Sequence, residues 1–325
     1  MDKIRIDESS KIIGKVKVGK NAYIAQGTII RSESDSVEIG NSSWILENSV
    51  VIGTEKHPVK IGSKTIFGHR TVTIGSEIGD LCEIGNNTIF LPGSKVGSMC
   101  IFGEGTIVPE NHVIPPRSVV VGRPARVIRK LTEDDENMII RMRSNDISLD
   151  DFVENIFDYD KGESVMDNIY EFEGKYPEIA ETAYIDSKAE ITGDVVIGDD
   201  SYIGSGVKIV GNSHGPIKIG RNVQVLENCV LHLLPDNELT IDDNVTIGPN
   251  STIHGTIIRK NSVIEAGSIV CDYSELGENC LVKSGSLVKQ RDKFEANSII
   301  EGFPGKAIGK KKELIERPDW AIRKK

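Results

Sequence analysis

Only six of the 325 residues are histidine, the side chain that titrates near neutrality and readily binds metals. Three of them sit in patterned surroundings. His232 ends Glu227-Asn-Cys-Val-Leu-His, His254 ends Ile247-Gly-Pro-Asn-Ser-Thr-Ile-His, and His69 ends Ile66-Phe-Gly-His. Glu47 and Glu227 recur in the same setting, Leu-Glu-Asn, upstream of His69 and His232. His57, His112 and His214 lack such a frame and read as surface-loop residues.

The frame that must position these residues is a duplication. Residues 40–128 can be laid on residues 220–308 without a gap: Ile39-Gly40 falls on Ile219-Gly220, Leu46-Glu47-Asn48 on Leu226-Glu227-Asn228, and Gly122-Arg-Pro124 on Gly302-Phe-Pro304. One inserted residue extends the match back to Gly14/Gly193 and Tyr23/Tyr202. Internal repeats govern any reading of the fold.

Within each copy the period is six. Ile241, Ile247 and Ile253 are followed, after a one-residue phase shift, by Ile258, Ile264, Val270, Leu276 and Val282. The first copy repeats this with Ile61 and Phe67, then Ile78, Ile84, Phe90, Val96 and Phe102. Gly often follows the apolar residue, and Ser, Thr, Cys or Ala recurs a few positions on. Six fits neither a helix nor a half-buried strand, whereas hexapeptide repeats build β-helices of short strands joined by turns. The expected fold is all-β with accessory helices: two left-handed parallel β-helix domains in tandem. Their bounds are expected at 1–128 and 184–308. Glycine is expected at the corners because the backbone there needs unusual dihedrals.

Segment 129–183 interrupts the repeats as an acidic, partly helical linker, and 309–325 as a basic tail with a short helix at 311–318. Thr132-Glu-Asp-Asp135 reads as a capping box before an apolar stripe of Met138, Ile139 and Met142. Ser148-Leu-Asp-Asp151 reads as a second helix start before Phe152, Ile156 and Phe157. The linker holds 16 acidic and 6 basic side chains, which accounts for the whole net charge of −10. The near-neutral repeats exclude the basic face that nucleic acid requires, and the terminal lysines read as solvated.

The chain resembles the γ-class carbonic anhydrases, left-handed hexapeptide β-helices that are usually trimeric. Three signatures carry the resemblance: a strand ending in Val-Leu-His after an acidic residue, an Ile-Gly-His-type element before a strand ending in His-Gly, and a closing Gly122-Arg-Pro-Ala-Arg126. The resemblance implies zinc held by three histidines, the first and third from one subunit and the middle one from its neighbour. In the second copy the first and third positions are His232 and His254, but the middle is Pro249. In the first copy the middle is His69, and the other two are Ile52 and Ile74. The two copies together hold one full set. A composite site between an N-terminal and a C-terminal β-helix would join His69, His232 and His254. Three imidazoles with an open fourth position suit a catalytic zinc, which makes hydroxide available for reversible CO2 hydration. Iron or cobalt suits the same ligands.

The resemblance also implies roles for Arg31, in Ile30-Arg31-Ser-Glu33, at subunit contacts, and for Glu47 and Glu227 as acids beside the metal pocket. Leu46 and Leu226 stand where the family has glutamine, which thins the shell around the metal. Two other functions remain open: a CoA-dependent hexapeptide acyltransferase, for which His112 is the first-copy loop candidate for general base, and a non-catalytic scaffold whose histidines are remnants of a decayed site. Homo-oligomers formed through β-helix faces are expected. The five cysteines include no Cys-x-x-Cys, which points to reduced core thiols rather than disulfides or thiolate zinc. The N-terminus lacks the apolar stretch of a signal peptide, and no apolar run suits a membrane span. The expected setting is therefore the cytoplasm, with a small-molecule substrate or none.

Overall fold

The computed structural model describes residues 3–159, 168–212, 215–235 and 237–323. The chain divides into two compact units, Met1–Lys161 and Gly162–Lys325. Each unit is a left-handed parallel β-helix of short strands wound into stacked coils. In the second unit the three faces are sheets of seven, seven and eight strands. In the first, the nine-residue strand Lys11–Gly19 runs round one corner and joins two faces into one larger sheet. The second unit's coils begin with Ile169–Tyr170, inside the segment read as linker from sequence.

Stacking explains the period and its phase shifts. The coil that carries Ile241 onto Ile258 is 17 residues long, as is the one that carries Ile61 onto Ile78. One residue fewer than three hexapeptides gives the observed shift. Ile24, Ile45, Phe67, Ile84 and Phe102 line the first interior, and Ile203, Val225, Ile247, Ile264 and Val282 the second. Each fully buried aliphatic side chain contributes about 1.5–3 kcal/mol.

The glycines that directly follow an inward apolar residue act by closeness rather than by dihedral. Among Gly40, Gly62, Gly79, Gly220 and Gly248 none has positive φ; a side chain on Gly62 would lie 2.5 Å from the Gly79 carbonyl carbon and 2.6 Å from the Asp80 nitrogen. The left-handed backbone falls on polar turn residues such as Asn48, Asn228, Asn244 and Asn261, and on other glycines such as Gly27, Gly105, Gly206 and Gly267. Asn tolerates that region, and here it adds a ladder: Asn222 Nδ2 donates to Asn244 Oδ1 at 2.8 Å, and Asn244 Nδ2 to Asn261 Oδ1 at 3.2 Å. The recurrent small residues bond to the next coil. Ser43 Oγ donates to the Gly62 carbonyl, Thr65 Oγ1 to Gly79, Cys82 Sγ to Gly97 and Cys280 Sγ to Glu295. All five thiols are free, and four are buried.

Each solenoid closes with an antiparallel hairpin, Ser118–Val121 with Arg126–Lys130 and Ser298–Gly302 with Gly305–Lys310. Gly122 and Gly302 turn these hairpins at φ +107° and +114°, where a side chain would be strained. The helix Glu133–Met142 follows the first hairpin, with the capping box between Thr132 and Asp135 in place and Ile139 buried.

The second helix does not form. Ser148 donates its backbone N–H to Asp146 Oδ1 at 3.0 Å instead of capping a helix, and Glu154–Tyr159 pairs antiparallel with Lys11–Gly19. That strand's open edge offers the segment a backbone partner, and Phe157 packs on the first core while Ile156 faces out. Residues 311–318 form no helix either. They run extended along the second solenoid, with the Glu313 carbonyl and the Ile315 N–H bonded to Asn279. Lys310 pairs with Glu295; Lys324 and Lys325 lie outside the described residues. Among the described residues, no helix is long and apolar enough to cross a membrane.

Replacing Gly62 by Ala drives a Cβ into the backbone of the next coil. The expected cost is about 1–3 kcal/mol, the range for overpacking, seen as a lower urea midpoint with an unchanged slope.

Candidate functional site

His232 and His254 close the strands Val230–His232 and Thr252–His254. These strands pair in parallel register, Leu231 with Ile253 and His232 with His254. Leu231 and Ile253 point into the core. Because side chains alternate along a strand, both imidazoles stand on the outer face. Their rings meet edge to face, 5.4 Å between centroids.

The coil between them has 22 residues rather than the 17 of the next one, and Leu234 and Asn237 lie in its longer connection. Asn237 turns back across the coil there. Its Nδ2 donates to the Gly255 carbonyl at 2.8 Å and to Asp272 Oδ1 at 3.2 Å. The Leu234 N–H adds a 3.3 Å bond to the same oxygen. Gly255 must be glycine because a Cβ there would strike Asn237 Nδ2. Asp272 is buried, and its other oxygen, Oδ2, lies 3.3 Å from His254 Nδ1. On the other side, His232 Nε2 lies 3.2 Å from Asn212 Oδ1.

Burial holds the His232 imidazole below the ordinary histidine pKa; the neighbouring His254 lowers it further, and Asp272 partly offsets this. A half-buried pair of imidazoles on one face is a pair of nitrogen donors of the kind that metal ions such as zinc bind. Asp272 leaves Nε2 of His254 open, whereas Asn212 occupies Nε2 of His232 and leaves Nδ1. Among the described residues of one chain, no three His, Cys, Asp or Glu side chains gather as a metal site.

In the first unit, His69 is exposed at a corner, and its Nδ1 lies 2.6 Å from Glu47 Oε2 on the adjacent coil. Ile52 and Ile74 pair in the register that His232 and His254 adopt, and both are fully buried. Arg31 precedes Ile52 in that column, 3% exposed, with Nη1 3.7 Å from Glu33 Oε1. Glu227 is wholly buried beside Pro249; its carbonyl accepts from the Asn250 N–H. Leu226 is buried and Leu46 half-buried, and their apolar side chains offer no hydrogen bond. His57 is half-buried, with its N–H on Thr54, and His112 is exposed. His214 lies outside the described residues.

Sequence reasoning missed Asp272, Asn237 and Asn212. A signal for two of them was present. In the ungapped alignment of the copies, Asp272 falls opposite Pro92 and Asn237 opposite His57, so these polar residues accompany the two histidines and are absent where Ile52 and Ile74 replace them.

Because His232 has its pKa lowered, the folded state resists protonation that the unfolded chain accepts. This contribution to stability is present above about pH 6.5, the unfolded histidine value, and is lost as pH falls through the lower folded value. His254→Ala removes a positive neighbour and some burial. It is expected to raise the His232 pKa, as read from the ring C–H shift in an NMR titration; an unmoved titration would contradict the pairing.

Two stretches, residues 58–90 and 238–271, match the hexapeptide repeat of succinyl-transferase. A carbonic anhydrase of Geobacillus kaustophilus is 40% identical over 148 residues, covering 46% of this chain and 79% of that protein. The carnitine operon protein CaiE of a Proteus species is 31% identical over 141 residues, covering 43% and 71%. Among solved structures, a hexapeptide transferase family protein from Anaplasma phagocytophilum is 27% identical, with a TM-score of 0.44 over 46% of this chain and 87% of that one. With two hexapeptide solenoids and a relative of that identity and coverage, the chain belongs to the hexapeptide-repeat family of γ-class carbonic anhydrase-like proteins.

Proposed function

We propose that the protein is a γ-carbonic-anhydrase-like metalloprotein that catalyses reversible CO2 hydration at a site shared between two chains. The observation that carries this reading is the in-register pair His232 and His254, 5.4 Å apart on the outer face of the second solenoid. In the proposed assembly, His232 and His254 of one chain and His69 of another hold a zinc ion; iron or cobalt suits the same donors. Such an ion supplies Lewis acidity that ionises water near neutral pH.

The chain's own residues hold and orient the ligands. Asp272 stands behind His254 and Glu47 behind His69, in the manner of carboxylate partners that fix ligand rings. Glu47 thereby takes a positioning role, and Glu227 and Arg31 lie on the faces that would flank the site. Leu226 and Leu46 offer no hydrogen bond to a reacting water, so the reading implies slow turnover. The free thiols fit a reducing, cytoplasmic setting.

A second reading, acyl transfer from CoA, draws support from the same Asp272–His254 pair, which has the arrangement of an oriented general base. His112, exposed on its turn, gives it less.

Metal analysis after growth with zinc separates these readings. The wild-type protein is expected to retain zinc and to hydrate CO2 in a stopped-flow indicator assay. His69→Ala, His232→Ala and His254→Ala should each lose zinc and lower activity by more than about 100-fold, beyond the usual effect of outer-shell partners. Zinc kept in full by His69→Ala would rule out the shared site, and acetyl-CoA binding by a zinc-free wild type would favour acyl transfer.

A further inference from the structure

We propose that Asp272 is the positioning residue that makes His254 a ligand, by holding its Nδ1–H and turning its Nε2 lone pair outward. The proposal rests on the metal reading above and assigns a device within it. A neutral imidazole carries its proton on one nitrogen, and whatever the other atoms accept or donate decides which. Asp272 Oδ2 lies 3.3 Å from Nδ1. An ionised carboxylate only accepts, so the ring satisfies it by carrying the proton on Nδ1.

The carboxylate is itself fixed. Its Oδ1 receives the Leu234 N–H at 3.3 Å and Asn237 Nδ2 at 3.2 Å. Asn237 is in turn seated by its 2.8 Å bond to the Gly255 carbonyl, over a glycine that leaves room for it. The chain of support runs from Gly255 to Asn237 to Asp272 to His254. Leu234 and Asn237 come from the long coil, and among the described residues the polar neighbour of the His232 ring is the amide oxygen of Asn212.

The duplication supplies an independent argument. The other copy has the same coil length and register, since Ile52 pairs with Ile74 as His232 does with His254. There Pro92 stands at the Asp272 position and His57 at the Asn237 position. Were Asp272 and Asn237 needed only to shape the loop, the other copy would need them too. They are present only in the copy with the imidazoles to orient.

Asp272→Asn is a sharp test because the two donors on Oδ1 decide how the amide sits. The amide oxygen stays on Leu234 and Asn237, so the NH2 faces His254 Nδ1 and can only donate. The ring must then accept at Nδ1 and carry its proton on Nε2, which removes the outward lone pair. The experiment uses full-length protein with 15N-labelled histidine. In metal-free wild type, long-range 1H–15N spectra should show His254 as the Nδ1–H tautomer; in Asp272→Asn they should show Nε2–H with the melting temperature nearly unchanged. Zinc titration should then give an affinity about 10–100-fold weaker for the variant.

An Nε2–H tautomer at His254 in the wild type overturns the proposal, and this measurement does not require the variant to fold. Equal zinc affinity in the wild type and Asp272→Asn also overturns it. Failure of the wild type to bind zinc sinks the metal reading and this role with it, whereas the tautomer, read without metal, sinks this role alone.

Discussion

Every coil of a parallel β-helix lies one strand spacing, about 4.8 Å, from the coils above and below it. Each residue is therefore answerable to the residue at the same place in two neighbouring coils. That constraint selects glycine where Gly62 meets the backbone of Gly79 and Asp80, asparagine where a left-handed turn can also pass a hydrogen bond to the next turn, and small donors such as Thr65 and Cys82 where a carbonyl of the next coil needs a partner. It also gives the site its form. Two histidines at the same place on adjacent coils are forced side by side, their rings 5.4 Å apart, with no loop needed to bring them together.

Because the strands are so regular, chemistry enters where the coil length departs from the repeat. The 22-residue coil before Ile253 ejects a loop beside His254, and that loop carries the Asn237 that seats Asp272. The rigid ladder fixes where the two imidazoles stand, and the irregular insert fixes which nitrogen one of them presents. A site built on strands gains precision from the scaffold, and here a few surplus residues supply the rest.

The fold was legible because its signal repeats. Six-residue spacing over two long stretches leaves few architectures, and even the phase shift at Ile253 had a physical counterpart in a 17-residue coil. The expectation of unusual dihedrals holds for glycines such as Gly27, Gly105 and Gly267 but not for Gly62 or Gly79, because a dihedral and a close approach give the same letter in sequence and only the neighbouring coil distinguishes them. The segment after Ser148 was misread because Phe152, Ile156 and Phe157 suit either a helix face or an edge strand. The free edge of Lys11–Gly19 decided for the strand. In the site, His232 and His254 stood out by their frames. Asp272 did not, because its partner lies 18 residues back and a lone Asp in a turn ordinarily reads as a turn residue.

The unequal copies follow from the cost of buried polar groups. The carboxylate at the Asp272 position is buried, accepts from an amide and a backbone N–H, and has an imidazole nitrogen 3.3 Å from its other oxygen. Replace the imidazole with an isoleucine and one oxygen faces an apolar side chain, a loss on the order of 1–3 kcal/mol. The first copy, with Ile52 and Ile74, carries Pro92 in that place and so avoids the penalty. Histidines and their support are therefore retained or replaced as a set. The second copy has kept the set on its strands, whereas the first has kept a different pair, His69 with Glu47, at a corner where exposure makes an imidazole inexpensive to retain. Each solenoid thus carries an imidazole beside a carboxylate, on a different part of its surface.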